Sequence, residues 1–395
     1  MNARLKAYLE SEIGTLKAKG IFRLPRVLQT AAGPRVRMDG RDIIQLSSNN
    51  YLGLTTHPRL VAAARQAVEE FGAGPGAVRT IAGTMSLHLE LETRLARFKS
   101  TEAALVFQSG YTANVGVVST LMQEGDLIVS DELNHASIID GCRLCKADRA
   151  IYRHLDYDHL RDVLKTARQT STRKILVVAD GVFSMDGDVS DLGSIRALCR
   201  EYDAIAMVDD AHGTGVMGTN GRGTVDHFGL KDDWDIQIGT MSKAFGVMGG
   251  YVCCPRLLVD FYVHKARPFL FSSSHPPAVV AACVAAVDVM EIEPELNARL
   301  WENTRFFKDG LRRLGFNTGS SVTPITPVII GSGAKAARFS HELFERGVFA
   351  QGIFFPMVAE EKSRLRTIVM ATHTRPDLEE ALGAFEAVGR SLGVI

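Results

Sequence analysis

Lys243 lies in a segment of mostly small residues, Gly239–Gly246 (G-T-M-S-K-A-F-G), which begins where an apolar run ends. Small neighbours let a planar ring approach the ε-amine, and partial burial lowers the pKa of an amine because it disfavours the charged form. Both properties are typical of lysines that form a Schiff base with a carbonyl compound. The alternative is an ordinary surface lysine after a strand, and this segment alone leaves both interpretations open.

Two adjacent carboxylates, Asp209 and Asp210, follow the apolar run 204–208 in the segment V-D-D-A-H-G. If Lys243 holds pyridoxal phosphate, a carboxylate must face the pyridine nitrogen and keep it protonated, so that the ring withdraws electrons. Asp209 is the first carboxylate after the strand and is assigned this role. A metal-binding pair and a helix cap are the alternatives. Because no further ligands follow at a suitable spacing, we predict no metal site.

Two other segments supply groups that a phosphorylated ring requires. The segment 108–114 (Q-S-G-Y-T-A-N) joins an apolar run to the start of a helix, where free backbone N–H groups suit a phosphate, and Thr240 adds a hydroxyl. His135, in the segment N-H-A-S, follows another apolar run and can stack on the ring. An isolated histidine is more often a hydrogen-bonded core residue. Because His135 lies at a predicted strand end, as do three other segments with suitable groups, we favour the interpretation that it belongs to the cofactor site.

Each of these four segments follows a run rich in apolar, β-forming residues, and helical segments separate the runs. Such alternation predicts an α/β protein with a mostly parallel sheet and helices on both faces. Ligands of such sheets bind beyond the carboxyl ends of the strands, so we expect the four segments to converge on one crevice. The predicted strands are 103–107, 126–129, 151–153, 174–179, 204–208 and 236–239. The predicted helices are 112–122, 136–146, 158–167 and 192–202.

The pattern changes after about Pro294 and predicts a smaller α+β domain. We place the large cofactor-binding domain at 51–290 and the small domain at 291–395, and expect residues 1–50 to pack with the latter. The small domain is predicted to contain helices at 296–314, 335–346 and 378–392, with strands at 326–330, near 348 and at 366–370.

The composition limits the kinds of partner. The chain has 45 Lys+Arg and 45 Asp+Glu, so its zero net charge does not favour nucleic acid or an anionic membrane. The apolar stretch 278–287 is too short to span a bilayer, and glutamates interrupt the amphipathic helix predicted at 1–20, which excludes a secretory signal. A cytoplasmic protein is expected. Cys142 and Cys145 form an isolated C-x-x-C, which we interpret as core residues because no second pair follows.

Eight ordered segments, taken together, closely resemble the α-oxoamine synthases, pyridoxal phosphate enzymes of fold type I. The resemblance runs nearly the whole length of the chain. The segments are 47–54 (S-S-N-N-Y-L-G-L), 76–84 (G-A-V-R-T-I-A-G-T), 88–92 (H-L-E-L-E), 134–141 (N-H-A-S-I-I-D-G), 180–188 (D-G-V-F-S-M-D-G-D), 208–213 (V-D-D-A-H-G), 240–246 (T-M-S-K-A-F-G) and 364–366 (R-L-R). The resemblance implies an aspartate-aminotransferase-like large domain and the condensation of an amino acid with an acyl-CoA. The product is a 2-amino-3-oxo acid, released intact or after loss of carbon dioxide.

The resemblance also implies roles for individual residues. Lys243 carries the cofactor as a Schiff base and is the acid/base, Asp209 pairs with the pyridine nitrogen, and His135 stacks on the ring. The other implied cofactor contacts are Ser184 and His212 near the phenolic oxygen, Gly110, Tyr111 and Thr240 at the phosphate, and Ser273 and Ser274, which reach the phosphate from the partner subunit of a homodimer. Asn49 and Arg366 hold the substrate carboxylate, and Arg23 contacts the acyl product.

Within the family, the segments A-R-P-F-L-F and H-P-P-A-V-V are most similar to glycine C-acetyltransferases and to a bacterial group that also makes 8-amino-7-oxononanoate. The main expectation is therefore glycine and acetyl-CoA, with tolerance of other acyl-CoAs. The alternative is 8-amino-7-oxononanoate synthase. Serine palmitoyltransferase ranks lower, because those enzymes usually have methionine where this chain has Leu52, and 5-aminolevulinate synthase ranks lower as well. The acyl-CoA-family segments argue against an aminotransferase. The presence of Lys243, Asp209 and His135 argues against an inactive subunit.

Overall fold

The structure is a computed structural model that describes residues 1–18, 22, 24–170, 172–355 and 357–395. Its strands form one large and two small sheets. They are β1 (Arg35–Met38), β2 (Arg41–Gln45), β3 (Ala103–Phe107), β4 (Leu127–Asp131), β5 (Asp148–Tyr152), β6 (Ile175–Asp180), β7 (Ile205–Asp209), β8 (Ile236–Thr240), β9 (Gly250–Cys254), β10 (Ile325–Ile329), β11 (Val348–Phe349), β12 (Gln351–Ile353) and β13 (Arg364–Ile368).

The large sheet has the strand order β3-β9-β8-β7-β6-β4-β5. Its pairs are parallel except those of β9, which runs antiparallel to both β3 and β8. Every residue of β3, β6, β8 and β9 is buried, as expected for strands covered by helices on both faces. The α/β architecture with a mostly parallel sheet is therefore confirmed.

Helices flank the sheets, and several begin at a side chain that caps the first turn. Ser109, Asp156 and Asp191 each accept a hydrogen bond from the backbone N–H three residues later. The helices are α1 (Ala3–Ala18), α2 (Pro58–Phe71), α3 (Ser86–Phe98), α4 (Gly110–Leu121), α5 (Ala136–Arg143), α6 (Tyr157–Arg168), α7 (Leu192–Glu201), α8 (Thr224–His227), α9 (Arg256–Lys265), α10 (Arg267–Leu270), α11 (Pro277–Ile292), α12 (Glu295–Arg313), α13 (Gly333–Glu345) and α14 (Arg375–Ser391). Among the helices described, none combines the length and apolarity needed to cross a membrane.

Some predicted boundaries differ from the structure. Helix α5 ends at Arg143, so Cys145 lies beyond the helix that was expected to reach residue 146; both it and the buried Cys142 are free thiols. Strand β5 begins at Asp148, three residues earlier than predicted. It is an edge strand with most of its residues exposed, so its charged start carries no apolar signal.

The two small sheets are built largely from the C-terminal part of the chain. One has the order β10-β13-β12 and is antiparallel, and in the other β2 pairs with β1 and runs parallel to β11. Four phenylalanines, with ring centroids 5.7–6.0 Å apart in contacting pairs, pack α12, α13 and α14 together; they are Phe307, Phe316, Phe339 and Phe385. The division of the chain at residues 51 and 291 stays a prediction.

Candidate active site

A cavity of about 270 Å³ opens at the carboxyl edge of the large sheet. All four segments predicted to converge there contribute to its wall, because β3, β4, β7 and β8 end at the same edge. The lining residues are Ser109, Gly110, Tyr111, His135, Ser137, Asp180, Val182, Ser184, Asp209, Ala211, His212, Thr240, Ser242 and Lys243. A second cavity, of about 360 Å³, lies beside the buried ion pair of Arg79 and Glu92 and includes none of these groups.

Lys243 lies in the loop that joins β8 to β9. The loop is closed by two hydrogen bonds, in which the N–H of Met241 donates to Gly249 O and the N–H of Val247 donates to Met241 O, both at 2.9 Å. Burial lowers the pKa of the Lys243 amine to about 8, although the charges of Asp209 and Asp180 oppose this. An appreciable fraction of the amine is therefore neutral near neutral pH, which a nucleophile requires.

The carboxylate of Asp209, the last residue of β7, is held in a fixed orientation. One oxygen accepts a hydrogen bond from Nδ2 of Asn114 at 2.6 Å, and the other accepts from the N–H of Ala211 at 2.9 Å. The neighbouring Asp210 forms a fully buried ion pair with Nζ of Lys99 at 2.6 Å. The two adjacent carboxylates therefore have separate partners, and the described residues contain no group of three or more His, Cys, Asp or Glu that could hold a metal.

Asp180 is a site residue that the strand-end argument did not single out. It pairs with Asp209 in the register of β6 and β7, and its Oδ2 accepts the backbone N–H of His135 at 3.1 Å. Burial raises the pKa of the Asp180 carboxyl well above its usual range, and the charge of Asp209 adds to this effect. The available signal was its position, since Asp180 ends β6 as Asp209 ends β7.

His135 precedes α5 and caps it. Its Nδ1 lies 2.7 Å from Oγ of Ser137, and its ring lines the cavity. Burial lowers the pKa of His135; Asp209 opposes this and Lys243 adds to it. The imidazole is therefore neutral near pH 7 and suited to stack against a planar ligand.

His212 is buried in the wall of the cavity, and its Nδ1 lies 2.7 Å from Oη of Tyr51. Burial lowers the pKa of His212 far below its usual value, and the positive charges of Lys243 and Arg366 add to this. Burial also raises the pKa of the Tyr51 phenol. A phenol that keeps its proton donates it to Nδ1, which places the imidazole proton on Nε2.

The start of α4 is arranged to receive an anion. Ser109 Oγ accepts the N–H of Thr112 at 3.1 Å, while the N–H groups of Gly110 and Tyr111 belong to the first turn, which has no intrahelical partners. A Cβ at Gly110 would lie 3.1 Å from Cβ of Thr240, so glycine lets the helix approach the end of β8. Oγ1 of Thr240 lies 2.8 Å from Oγ of Ser242, a second hydroxyl that the sequence patterns did not single out.

Asn49 and Arg366 come together although they are far apart in the chain. Nη1 and Nη2 of Arg366 each lie 3.4 Å from Oδ1 of Asn49, and its Nε donates to Ser184 O at 2.5 Å. The structure thus joins the predicted carboxylate-binding pair to the backbone of Ser184, another predicted site residue. The role of Asn49 and Arg366 in binding a substrate carboxylate stays a prediction.

Ser273 and Ser274, like Asn49 and Arg366, are not among the residues that line the cavity in this chain. Ser273 forms an isolated bridge with Val78, and the N–H of Ser274 donates to Ala77 O at 3.2 Å. Oγ of Ser274 is buried and finds no partner within the described part of the chain. Contact with the phosphate of a partner subunit stays a prediction for both serines. Arg23 lies outside the described residues.

The donor set fits pyridoxal phosphate. The cavity brings together an amine of lowered pKa, a carboxylate at a strand end, a neutral imidazole and an open helix N-terminus, all lining one space. Lys243 would hold the aldehyde carbon, Asp209 the pyridine nitrogen, and Gly110, Tyr111 and Thr240 the phosphate.

Known proteins with this fold and site define its class. Residues 41–385 match the family model of aminotransferase class I and II. The chain is 56% identical to 8-amino-7-oxononanoate synthase of Symbiobacterium thermophilum over 99% of this chain and 100% of the relative. It is similar in structure to Sphingomonas wittichii serine palmitoyltransferase, with TM-score 0.93, 35% identity and 98% of each chain covered. A Francisella tularensis 8-amino-7-oxononanoate synthase matches with TM-score 0.76 and 25% identity over 89% of this chain and 99% of that chain.

The chain belongs to the class I and II aminotransferase family, with the fold of the fold type I pyridoxal phosphate enzymes. Within that family it is a pyridoxal-phosphate-dependent α-oxoamine synthase, an acyltransferase that joins an amino acid to an acyl thioester. The predicted family, enzyme class and cofactor are thereby confirmed. The names of the relatives do not support the main expectation, glycine C-acetyltransferase, and support its alternative.

Proposed function

We propose that this protein is an 8-amino-7-oxononanoate synthase. The observation that carries the proposal is 56% identity to an enzyme of that name over the full length of both chains. It is supported by the cavity, which brings together the lysine, carboxylate and imidazole that the family reaction requires.

The proposed substrates follow from the carbon skeleton of this product. Its first seven carbons form a dicarboxylic acyl chain ending in the ketone, so the acyl donor is a pimeloyl thioester. The last two carbons carry the amine and a methyl group, which are Cα and Cβ of alanine, whereas glycine has no methyl group to supply. The balanced reaction is pimeloyl-CoA plus alanine plus a proton, giving 8-amino-7-oxononanoate, free CoA and carbon dioxide.

The residues of the site have distinct tasks in this reaction. Bound pyridoxal phosphate supplies an electron sink for negative charge that develops on Cα of the amino acid. Arg366 and Asn49 hold the α-carboxylate and so direct the Cα–H bond toward Lys243. The Lys243 amine, with its pKa of about 8, takes the Cα proton.

Other groups of the site maintain charge and geometry. The Asp209 carboxylate, fixed by Asn114 and Ala211, would keep a proton on the pyridine nitrogen of the bound cofactor. His135 would stack on its ring, and the Nε2–H of His212 would donate to its phenolic oxygen. After the thioester carbon joins Cα, the thiolate of CoA leaves, carbon dioxide leaves from the carboxylate that Arg366 held, and Lys243 returns a proton to Cα.

The deciding experiment measures CoA release by the purified holoenzyme with alanine or glycine, each paired with pimeloyl-CoA or acetyl-CoA. We expect the highest kcat/KM for alanine with pimeloyl-CoA, one carbon dioxide per CoA, and a product with the mass of 8-amino-7-oxononanoate. A pocket that accommodates one extra methyl group favours it by about tenfold or more. A higher kcat/KM for glycine with acetyl-CoA would contradict the proposal and would indicate a glycine C-acetyltransferase instead. Amine exchange with a 2-oxo acid, without CoA release, would indicate an aminotransferase.

A further inference from the structure

The segment 181–190 between β6 and α7 forms a hairpin, here called the Ser184 hairpin, whose tip lies at the cavity. Val182 pairs with Val189 as an antiparallel bridge. The N–H of Phe183 donates to Asp188 O at 3.0 Å, and Val182 and Ser184 line the cavity. The position of this hairpin therefore determines one wall of the site.

Two arginines of β13, Arg364 and Arg366, contact the tip of the Ser184 hairpin. Residues two apart in a strand point to the same face, so both side chains face the hairpin. Arg366 donates from Nε to Ser184 O at 2.5 Å. Arg364 donates from Nη1 to Met185 O at 3.0 Å and forms an ion pair with Asp186.

Arg364 is only 1% exposed, although arginine is rarely buried so completely. A buried guanidinium must be paired with hydrogen-bond acceptors, because desolvation of an unpaired charge is strongly unfavourable. The acceptors are Met185 O and Asp186 in the hairpin and Lys362 O, which accepts from Nε at 2.8 Å. The buried charge is thus attached to the hairpin tip.

The hairpin in turn orients Arg366. Because its Nε is committed to Ser184 O, the planar guanidinium has its Nη1 and Nη2 edge directed at Asn49. Both distances to Asn49 Oδ1 are 3.4 Å, at the long end of the hydrogen-bond range, so this edge keeps donors for a carboxylate. A shift of the Ser184 carbonyl would therefore rotate the whole guanidinium group of Arg366.

We propose that Arg364 is a positioning residue for the amino-acid substrate. By holding the backbone at Met185 and the side chain of Asp186, it fixes the neighbouring Ser184 carbonyl, so that Arg366 presents its Nη1 and Nη2 edge to the substrate carboxylate. Arg364 itself does not touch the substrate. The inference deepens the proposed function and rests on it, since Arg366 is taken to bind the carboxylate of the amino acid.

The test measures amino-acid binding to the holoenzyme through the visible absorbance of the cofactor, without acyl-CoA. For Arg364→Lys we expect the Kd of alanine to rise about tenfold and the KM of pimeloyl-CoA to stay within about twofold. Lysine keeps the charge but cannot reproduce the rigid fork. Arg366→Ala is the positive reference, with a rise of roughly ten- to a hundredfold, as expected for a lost charge-assisted contact.

Two further variants separate positioning from stability. Asp186→Asn retains the shape of its side chain but removes the ion pair, and we expect the Kd of alanine to rise about threefold. Arg196→Lys is the matched control, because Arg196 is also largely buried and paired with two carboxylates, Asp233 and Asp235, while none of the three lines the cavity. Its Kd for alanine is expected to equal that of the wild type.

Each possible result supports or contradicts the positioning role of Arg364. An Arg364→Lys enzyme that unfolds at lower temperature but binds alanine as the wild type does would overturn the inference, as would an equal rise in the KM of pimeloyl-CoA. If Arg364→Lys does not fold, an unchanged Kd in Asp186→Asn would overturn it. If the wild-type enzyme binds glycine and not alanine, only the proposed function is contradicted. The role of Arg364 is then tested by comparing the Kd of glycine between the wild type and the variants.

Discussion

Among single residues, the ionisable side chains around Lys243 differ in protonation over short distances. Burial lowers the pKa of His135 and His212, so both imidazoles are neutral, and it raises the pKa of the Asp180 carboxyl, which favours its protonated form. Asp209 accepts hydrogen bonds from Asn114 and Ala211, which hold its side chain in a fixed orientation. The site therefore presents a fixed carboxyl group where the pyridine nitrogen is expected, and a partly neutral amine beside it.

Replacing Lys243 tests this arrangement directly. Lys243→Ala removes the Schiff-base amine and the acid/base together, so we expect the absorbance of the lysine Schiff base to be missing before alanine is added and turnover to fall by at least about a thousandfold. The visible spectrum and CoA release measure the two effects. Lys265→Ala, which removes an exposed lysine of α9, is the control and is expected to keep full activity. Turnover near the wild-type rate in Lys243→Ala would contradict the assignment of this lysine.

At the scale of elements, His154 links the end of β4 to the Ser184 hairpin. Its Nδ1 lies 3.0 Å from Asp131 and its Nε2 lies 2.9 Å from Asp188, while its ring packs edge-on against Phe183. Burial alone would lower the pKa of His154, but the two carboxylates outweigh it and raise the pKa to about 9. Near neutral pH a charged imidazolium therefore holds the base of the hairpin.

The pairing of His154 with Asp131 and Asp188 predicts that the stability of the protein depends on pH. The pKa of His154 in the folded protein exceeds its usual value of 6.5. Its contribution, on the order of 3 kcal/mol, is therefore fully present below about pH 6.5 and is lost as the pH rises toward 9. We expect His154→Gln to flatten the fall in the free energy of unfolding between pH 6.5 and 9, measured by urea denaturation. His341→Gln, at an exposed histidine, is the control. If the curves of wild type and His154→Gln run parallel over that range, His154 is not the titrating group.

At the scale of the whole molecule, the surface near the expected partner contacts is apolar. Ile81, Met248 and Phe271 are 82%, 54% and 71% exposed. Ile81 lies close to Val78, which forms a bridge with Ser273, Met248 lies in the loop of Lys243, and Phe271 precedes Ser273 by two residues. Exposed side chains of this size, grouped along such segments, are typical of an interaction surface. They agree with the predicted homodimer.

A charge on this surface tests the homodimer and its shared sites. We expect Ile81→Asp to be monomeric in sedimentation and to lose both cofactor and activity, because a buried aspartate in an apolar interface costs several kcal/mol. Leu257→Asp is the matched control, since Leu257 is 81% exposed on α9. A monomer that retains cofactor and full activity would refute shared sites.

The site residues that could be predicted are those at the ends of parallel strands, since alternation of strand and helix locates such ends. Lys243, Asp209 and His135 follow this rule, and all three line the cavity. Strand β9 escaped prediction because it is antiparallel and returns directly from the Lys243 loop, so no helix marks its start. The role of Arg364 could not be found in the same way, because its partners, Met185 and Asp186, lie about 180 residues earlier and only tertiary structure brings them together.

The same separation sets the order in which the enzyme matures. On the ribosome, the Ser184 hairpin emerges long before Arg364, whose Nη1 bonds a carbonyl 179 residues earlier. At roughly 5–20 residues per second, about 10–40 s of synthesis pass between them. During that interval β6, β7 and β8 are available to form the cofactor end of the site, while the hairpin tip still lacks both guanidinium groups. A nascent chain halted before β13 would therefore carry the lysine and the carboxyl group assigned to the cofactor, but not the arginine assigned to the carboxylate of an amino acid.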